Sequence, residues 1–468
     1  MLPGEPHEER GRRRERRALT GAVALVGARG TALVLSLASV PLTLPHLGPE
    51  RFGMWMTINS VVVLVSFADL GLGNGVMTLV AEDEGRDDRR AAAAHSSNAF
   101  FGLAGAALAL GALFAAIQPI TPWHDVYNVS SSQAVSEAGS ATAIAMACFL
   151  VTLPLSVARN VQLGCQEGLR KGVWDAAGNV LSLAGIVLVV ALDGSLPWLV
   201  AAFAGGPVVA ALANSLDWFL RVRPELRPRL ELLRRDVTTQ LLRMGSVYMV
   251  LQLAAVVAFF SDALILAHVL GPESVTDYSV AWKLFSVVSL TLSVAMMPLW
   301  PAYSEAAARH DAAWVRATLW RSVKLTVGVA LPASLLLLAV GSPAIDLWSD
   351  GGADPPLALL AALAAWTVIG ALGNALAMLF NALRVIRLQL VVAVLMAAVN
   401  VPLSIALAHA VGVEGVVLGT LLSYTFVALV PLLVAVPRVL GALERRAADA
   451  VRAAPAAPLV PGLTPSES

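Results

Sequence analysis

The sequence predicts an all-α integral membrane protein with twelve transmembrane helices, arranged as two parallel six-helix bundles around a central cavity. Three observations predict it. Hydrophobic residues fill 57% of the 468 positions and charged residues 14%, too little polar surface for a water-soluble chain of this size. Apolar runs long enough to cross a bilayer, ~20 residues each as helix, recur along the whole chain. A tetrapeptide, Leu-Gly-Pro-Glu, recurs at the same point of the two halves.

The spans fall at about 18–45, 53–79, 96–117, 140–164, 173–193, 196–220, 241–269, 276–300, 321–341, 357–382, 386–410 and 414–436. Polar, Gly and Pro clusters such as Gln118–Gln133, Arg221–Asp236 and Gly341–Pro356 separate them. Hydrocarbon offers no partner to a free backbone group, so each span is read as helix. The basic run Arg10–Arg17 precedes an apolar stretch too long for a signal-peptide core and is read as the start of a retained first helix. The chain then divides into a basic N-terminal segment (1–17), an N-lobe of helices one to six (18–220), a linker (221–240), a C-lobe of helices seven to twelve (241–436) and a tail (437–468). The tail turns Pro/Ala-rich and polar from Ala453 and is expected to be disordered.

Lysine and arginine counts set the orientation. Of the 32 bases, 28 fall in the two termini and in alternate loops. Arg51 alone lies in the other set of loops, and Arg29, Arg159 and Lys283 lie within spans. Bases mark the cytoplasmic side, so both termini are expected there, in a cytoplasmic (inner) membrane. The 32 acids balance the bases, but many, including Asp346, Asp350 and Asp354, sit in the outer loops. The zero net charge is therefore a cancellation between two faces, and it leaves no basic excess to meet nucleic acid.

The repeat reads Leu47-Gly48-Pro49-Glu50, then Phe52-Gly53, in the first half, and Leu270-Gly271-Pro272-Glu273, then Tyr278-Ser279, in the second. Beyond them, Ser60-Val61-Val62 and Leu64 match Ser286-Val287-Val288 and Leu290. Six helices is an even number, so the halves share one orientation. They are parallel repeats about an axis along the membrane normal, with a cleft that can open to either side.

An ionisable group at mid-membrane costs at least ~2.5–3.5 kcal/mol, so each one needs a reason. Arg29 is too deep in span one to be a flanking anchor. Lys283 and Arg159 can either snorkel to the nearer surface or line a cavity. Two acids accompany them, Asp69 in span two and Asp262 in span seven. Gly71, Gly73 and Gly75 follow Asp69 at alternate positions and form no helical stripe. They predict either a bend beside a cavity, acting as a hinge, or close helix packing. Asn59, Asn74, Trp282 and Asn381, with other amides in the spans, suit a hydrated cavity that binds a polar solute. Three cations against two acids tilt it towards an anion.

Catalysis finds no support. The histidines are scattered, Cys148 and Cys165 lack metal-ligand neighbours, and no nucleophile elbow, Walker loop or dinucleotide-binding glycine run occurs. No metal or other cofactor is expected. The work of transport must then come from an ion gradient, the membrane potential or substrate supply. A membrane glycosyltransferase or polymerase would need larger loops than these.

The run from Leu47-Gly48-Pro49-Glu50 through Phe52-Gly53-Met54-Trp55 to Asp69-Leu70-Gly71-Leu72-Gly73-Asn74-Gly75 resembles the start of Wzx-type flippases. These are oligosaccharide and polysaccharide flippases of the multidrug/oligosaccharidyl-lipid/polysaccharide (MOP) superfamily, related to the MATE transporters. In the second half, Asp262, Leu270-Gly271 and Tyr278 are similar to the family's seventh helix and following loop. The resemblance implies translocation of a polyprenyl-diphosphate-linked oligosaccharide by alternating access among membrane lipids, with H⁺ or Na⁺ as coupling ion. It also implies a polysaccharide polymerase and glycosyltransferases in the same pathway. Cavity cations of such flippases engage the diphosphate or acidic sugars. By position that role falls to Arg29, Lys283, Arg51 and Arg159, with Asp69 and Asp262 as charge partners or protonating sites. Lipid II flippases of this superfamily usually have fourteen helices, so twelve argues against lipid II as the cargo. A MATE-like exporter of small molecules is the alternative, and it predicts a cavity ruled by the two acids.

Overall fold

The computed structural model describes residues 7–453 apart from 66–68, 70, 297, 298, 310 and 384. All regular elements among the described residues are helices. Eleven of them are long and apolar enough to cross a membrane. They supply the twelve expected spans because one, Ala24–Val65, carries span one and the first part of span two through a kink. The expected basic segment falls partly outside the description: residues 1–6 are not described, and the helix of span one begins at His7.

The kink explains the repeated tetrapeptide. Gly48 has φ 76° and ψ 166°, and Gly271 has φ 94°. Side-chain-bearing residues rarely adopt such values, whereas Pro at the next position suits the first turn of a helix. The helix Pro272–Met296 starts in this way. The same turn is therefore built twice, once per lobe, and the two copies meet. Thr276 Oγ1 donates to the Pro49 carbonyl at 2.6 Å, and any Cβ on Gly53 would run into the carbonyl of Pro272.

Spans two and seven are both broken. Span two resumes at Leu72–Gly85 after Gly71, whose φ is 69°. The glycine run carries both a bend and a close helix contact. Gly71 makes the bend, while a side chain on Gly71 or Gly75 would meet the backbone of Gly245 or Leu241 on span seven. Span seven consists of Arg235–Phe260 and Asp262–Val269, parted at Ser261.

The rest of the N-lobe is Arg89–Ile117, Ser132–Gly164, Gly168–Ala191 and Leu196–Asp217. The rest of the C-lobe is Ala312–Ser349, Leu357–Ala382, Ile386–Val411 and the twelfth span, Glu414–Ser423 continued through the π-helical stretch Tyr424–Leu429 into Val430–Ala453. The tail departs from expectation, since residues 437–453 are helical. Leu432, Val436, Leu440 and Leu443 recur on one face and pack into the C-lobe core, which holds the helix past Pro437. Residues 454–468 lie outside the described residues.

Apolar packing divides by depth. At the end that carries the two tetrapeptide turns, one core joins both lobes, with Leu44, Phe52 and Trp55 against Leu266, Tyr278 and Phe285. At the base-rich end the apolar packing falls into two further cores. One holds Leu79, Val161 and Trp218 of the N-lobe with Leu241 of span seven, the other Tyr303, Leu319 and Phe380 of the C-lobe. The linker docks on the N-lobe, where Asn98 donates to Leu232 O and accepts from Arg234 N and Thr238 Oγ1. Arg223 pairs there with Glu84 and Glu225. Burial raises the Glu225 carboxyl, but its own backbone N–H and Arg223 outweigh it, and the group sits below its ordinary range.

Candidate functional site

A cavity of about 520 Å³ lies in the N-lobe towards the base-rich end, between spans one, four, five and six. Its charged lining is Arg29, Arg159, Lys171 and Asp175. Spacing on two helices brings these groups together. Lys171 and Asp175 are one turn apart on span five, with Nζ to Oδ2 at 2.6 Å. Arg159 reaches from the end of span four to Asp175 Oδ1 at 3.5 Å. Arg29 arrives from span one, where Gly172 lets that helix close onto Ala24, and has no carboxylate partner among the described residues. Trp174 and Asn179 line the same space, and Asn179 Nδ2 ties span five to Thr31 Oγ1 at 3.0 Å. Three cations against one carboxylate leave the cavity positive, and Arg and Lys donors suit phosphate oxygens.

Lys283 occupies a different place. Its Nζ lies 3.3 Å from Ser39 Oγ on span one and 5.3 Å from the Phe52 ring centroid. It therefore bridges the lobes within the depth of the joined core, between Ala281 and Phe285 of span eight. From the residue count to each glycine turn, Lys283 lies about 18 Å below that end and Arg29 about 28 Å, at 1.5 Å per residue. Further cross-lobe bonds seal the same end: Asn128 Nδ2 to Ala267 O at 3.2 Å and Trp348 Nε1 to Leu37 O at 3.2 Å.

Asp262 stands in the C-lobe at the break of span seven, 2% exposed. Its Oδ2 accepts from Tyr278 OH at 3.2 Å and from Thr420 Oγ1 at 3.5 Å. Its Oδ1 and the neighbouring Ser261 Oγ have no hydrogen-bond partner. Asn400 continues the cluster, donating to Thr420 Oγ1 at 3.1 Å and accepting from Ser404 Oγ at 2.7 Å. A buried carboxylate with a free oxygen, ringed by hydroxyl and amide oxygens, can take up a proton or a small hard cation. No group of three or more His, Cys, Asp or Glu at metal-binding range occurs among the described residues.

The other predicted residues are dispersed. Arg51 is away from the cavity. It is buried and forms a two-pronged pair with Glu137, at 2.8 and 2.9 Å, and Glu137 also accepts from Leu196 N. Asp69 accepts from Gly71 N at 2.8 Å, shaping the bend of span two. Asn59, Asn74 and Asn381 are half-buried outside the cavity lining. Trp282 packs on Tyr278 at 5.7 Å. Sequence reasoning counted Lys171 only as a loop base and passed over Trp174, Asp175 and Glu137. The i, i+4 spacing of Lys171 and Asp175 was the available signal.

Comparison with known proteins adds the lineage. The family model "Polysaccharide biosynthesis protein" matches residues 18–307, and the model "Lipid II flippase MurJ" matches residues 175–459. No curated protein matches the sequence. Among solved structures, the chain is similar to an inward-facing multidrug-resistance MATE transporter of the MOP superfamily, at 15% identity and TM-score 0.77, covering 91% of this chain and 99% of that one. An outward-facing structure of a MATE transporter of the same superfamily superposes at TM-score 0.65 and 15% identity, over 92% and 97%. A MOP transporter from Pyrococcus furiosus, described as having a binding pocket of reversed polarity, gives TM-score 0.66 and 15% identity over the same shares. Each family model matches more than half of the chain. The chain belongs to these polysaccharide-biosynthesis and lipid-flippase families, and its fold is that of the MATE-like transporters.

Proposed function

We propose that this flippase moves a lipid-linked, diphosphate-bearing oligosaccharide or polysaccharide precursor from the cytoplasmic to the outer leaflet of the cytoplasmic membrane. The observation that carries the reading is the cationic cavity of Arg29, Arg159 and Lys171, placed towards the base-rich end and away from the core that joins the lobes at the other end. In this reading the base-rich side is the open one and the end with the joined core the sealed one. The bias of bases puts the open side and both termini in the cytoplasm. The higher similarity to the inward-facing MATE structure than to the outward-facing one supports the same state.

In this reading the headgroup first meets Arg29 and its neighbours and then Lys283, which lies nearer the seal. Opening of the outer end must break the Thr276–Pro49, Asn128–Ala267 and Trp348–Leu37 bonds and part the joined core. Asp262 serves as the coupling group, holding H⁺ or Na⁺ through its unpartnered oxygen, and Gly71 as the hinge of span two. A polymerase and glycosyltransferases act before and after it on the same cargo. A MATE-like exporter of cations is the weaker reading because the cavity is cationic.

The test is deletion of the gene followed by extraction of lipids. Surface polymer should disappear and lipid-linked repeat units should accumulate on the cytoplasmic side. Normal polymer with no accumulation would sink the proposal.

A further inference from the structure

We infer that the face of span ten carrying Trp366, Gly370 and Asn374 is a saccharide subsite on the C-lobe, which holds a sugar of the lipid-linked cargo. The inference rests on the cargo proposed above and gives its uncharged part a place of its own.

The place follows from how span ten, Leu357–Ala382, is packed. From Trp366 onward none of its residues is exposed. Ile369, Leu372 and Leu376 enter the C-lobe core, and Ala371 packs on Leu292 of span eight. Gly370, Asn374, Ala377 and Asn381 belong to neither core, remain half-buried and recur about one turn apart on one face. Neighbours fix where this face looks. On one side Asn374 Nδ2 donates to Ser293 Oγ of span eight at 3.2 Å. On the other, Gly373 seats the Tyr424 hydroxyl of span twelve. Trp366 meets the rings of Tyr424 and of Phe259 on span seven there, at 5.2 and 5.7 Å. The face therefore looks out between spans seven and eight. Both of those touch the N-lobe, span eight through Lys283 and Ser39, span seven through Gly245 and Gly71. It is turned towards the other lobe.

Its chemistry suits a sugar. Span ten holds no charged residue between Leu357 and Ala382, and span eight holds none after Lys283, so this wall gives an ion nothing to pair with. Asn374 spends an amide N–H on Ser293 and keeps its carbonyl oxygen free among the described residues. Asn381, two turns on, makes no side-chain hydrogen bond among them. An amide presents donor and acceptor in one plane, which matches neighbouring hydroxyls that each donate and accept. Gly370 supplies the third part. A Cβ there would rest 3.6 Å from the six-membered ring of Trp366. Glycine thus leaves that part of the indole uncovered for the apolar C–H face of a sugar ring.

The experiment uses the full-length protein in a detergent without a sugar headgroup. Two soluble probes, farnesyl diphosphate and farnesyl diphosphate bearing one glucose, are compared by calorimetry. In wild type the sugar should tighten binding about tenfold, as one or two added hydrogen bonds would. Gly370→Leu covers the ring without removing a donor, and Trp366→Leu removes the ring. Either should erase the gain and leave the bare diphosphate bound as in wild type, whereas Trp366→Phe should keep part of it. Unchanged binding of the bare diphosphate, with melting measured on the same preparation, shows that the variants are folded. A sugar that adds nothing in wild type, or a gain that survives both Leu variants, overturns the inference and leaves the headgroup reading standing. A glycosylated probe that binds where the bare diphosphate does not, and is lost in both Leu variants, removes the headgroup role of Arg29 and upholds the saccharide subsite. Binding of neither probe overturns both.

Discussion

The two lobes share a fold and a turn but keep their charges in opposite ways. In the N-lobe, Arg29, Arg159 and Lys171 face a cavity, with one carboxylate among them. In the C-lobe, Asp262 accepts from Tyr278 and Thr420, with Asn400 and Ser404 extending the network, and forms no ion pair among the described residues. The N-lobe asks for an anion from outside, and the C-lobe asks for a proton or cation. Duplication supplied two equal scaffolds. In the proposed reading, divergence at a handful of positions makes one lobe the side of the cargo's headgroup and the other the coupling side. Position 39, which by distance from the glycine turn corresponds to Asp262, illustrates the change, because it is serine and hydrogen-bonds Lys283 across the interface.

The largest effect that would break this comparison is at Arg29. Arg29→Ala should abolish complementation of a deletion strain while the protein remains in the membrane. A lost charged hydrogen bond of ~1.5–3 kcal/mol weakens headgroup binding about ten- to hundredfold. Normal complementation would move the cargo site elsewhere. Next comes Asp262→Asn, expected to reduce transport about tenfold or more and to remove its dependence on the ion gradient. Farnesyl diphosphate binding to the N-lobe cavity should stay at the wild-type level. If binding falls too, the lobes are not divided as argued. A smaller effect is expected at the seam between the lobes. Gly53→Val forces a side chain onto the Pro272 carbonyl, so the sealed end should open, transport should drop several-fold, and a cysteine introduced at Ser39 should become reactive to reagents added from outside.

Much of the fold was legible in the sequence, and the reasons for what was not are physical. Spans and the repeat can be read because apolar length and a positive-φ glycine followed by proline are local properties. Residues 47–50 and 270–273 carry them openly. Arg29 and Asp262 could be picked out because an isolated charge in an apolar run is itself the signal. Partners were not legible. Arg51 looked like a cavity cation because Glu137, which neutralises it, lies 86 residues away, and nothing local ties the two. Lys171 looked like an ordinary loop base because the turn before span five hides that its side chain folds back beside Arg159. The tail was expected to be disordered because it turns Pro/Ala-rich and polar from Ala453, while the packing of Leu440 and Leu443 on the C-lobe core holds residues 437–453 in a helix.

The smallest predicted effect on transport sharpens the comparison by setting structure apart from function. Arg51 and Glu137 form a buried pair, 10% and 9% exposed at their side chains, which ties the glycine turn of span one to span four. Glu137 also caps the start of span six through Leu196 N. Removing the base alone strands the carboxylate, and the cost of such a break is about 3–5 kcal/mol. Arg51→Met should therefore lower the melting temperature and the amount of protein in the membrane. Arg51→Met combined with Glu137→Gln should recover part of that loss, because no naked charge remains. Per molecule of folded protein, both variants should bind farnesyl diphosphate as wild type does. Loss of binding in the double variant would return Arg51 to the cargo path and extend the cationic track to the sealed end. Cys165 offers a neutral reference for these preparations. Burial pushes its thiol up to about 12, with Glu84 adding to the rise, so it should resist maleimide at neutral pH in every correctly folded variant and react only where the N-lobe has come apart.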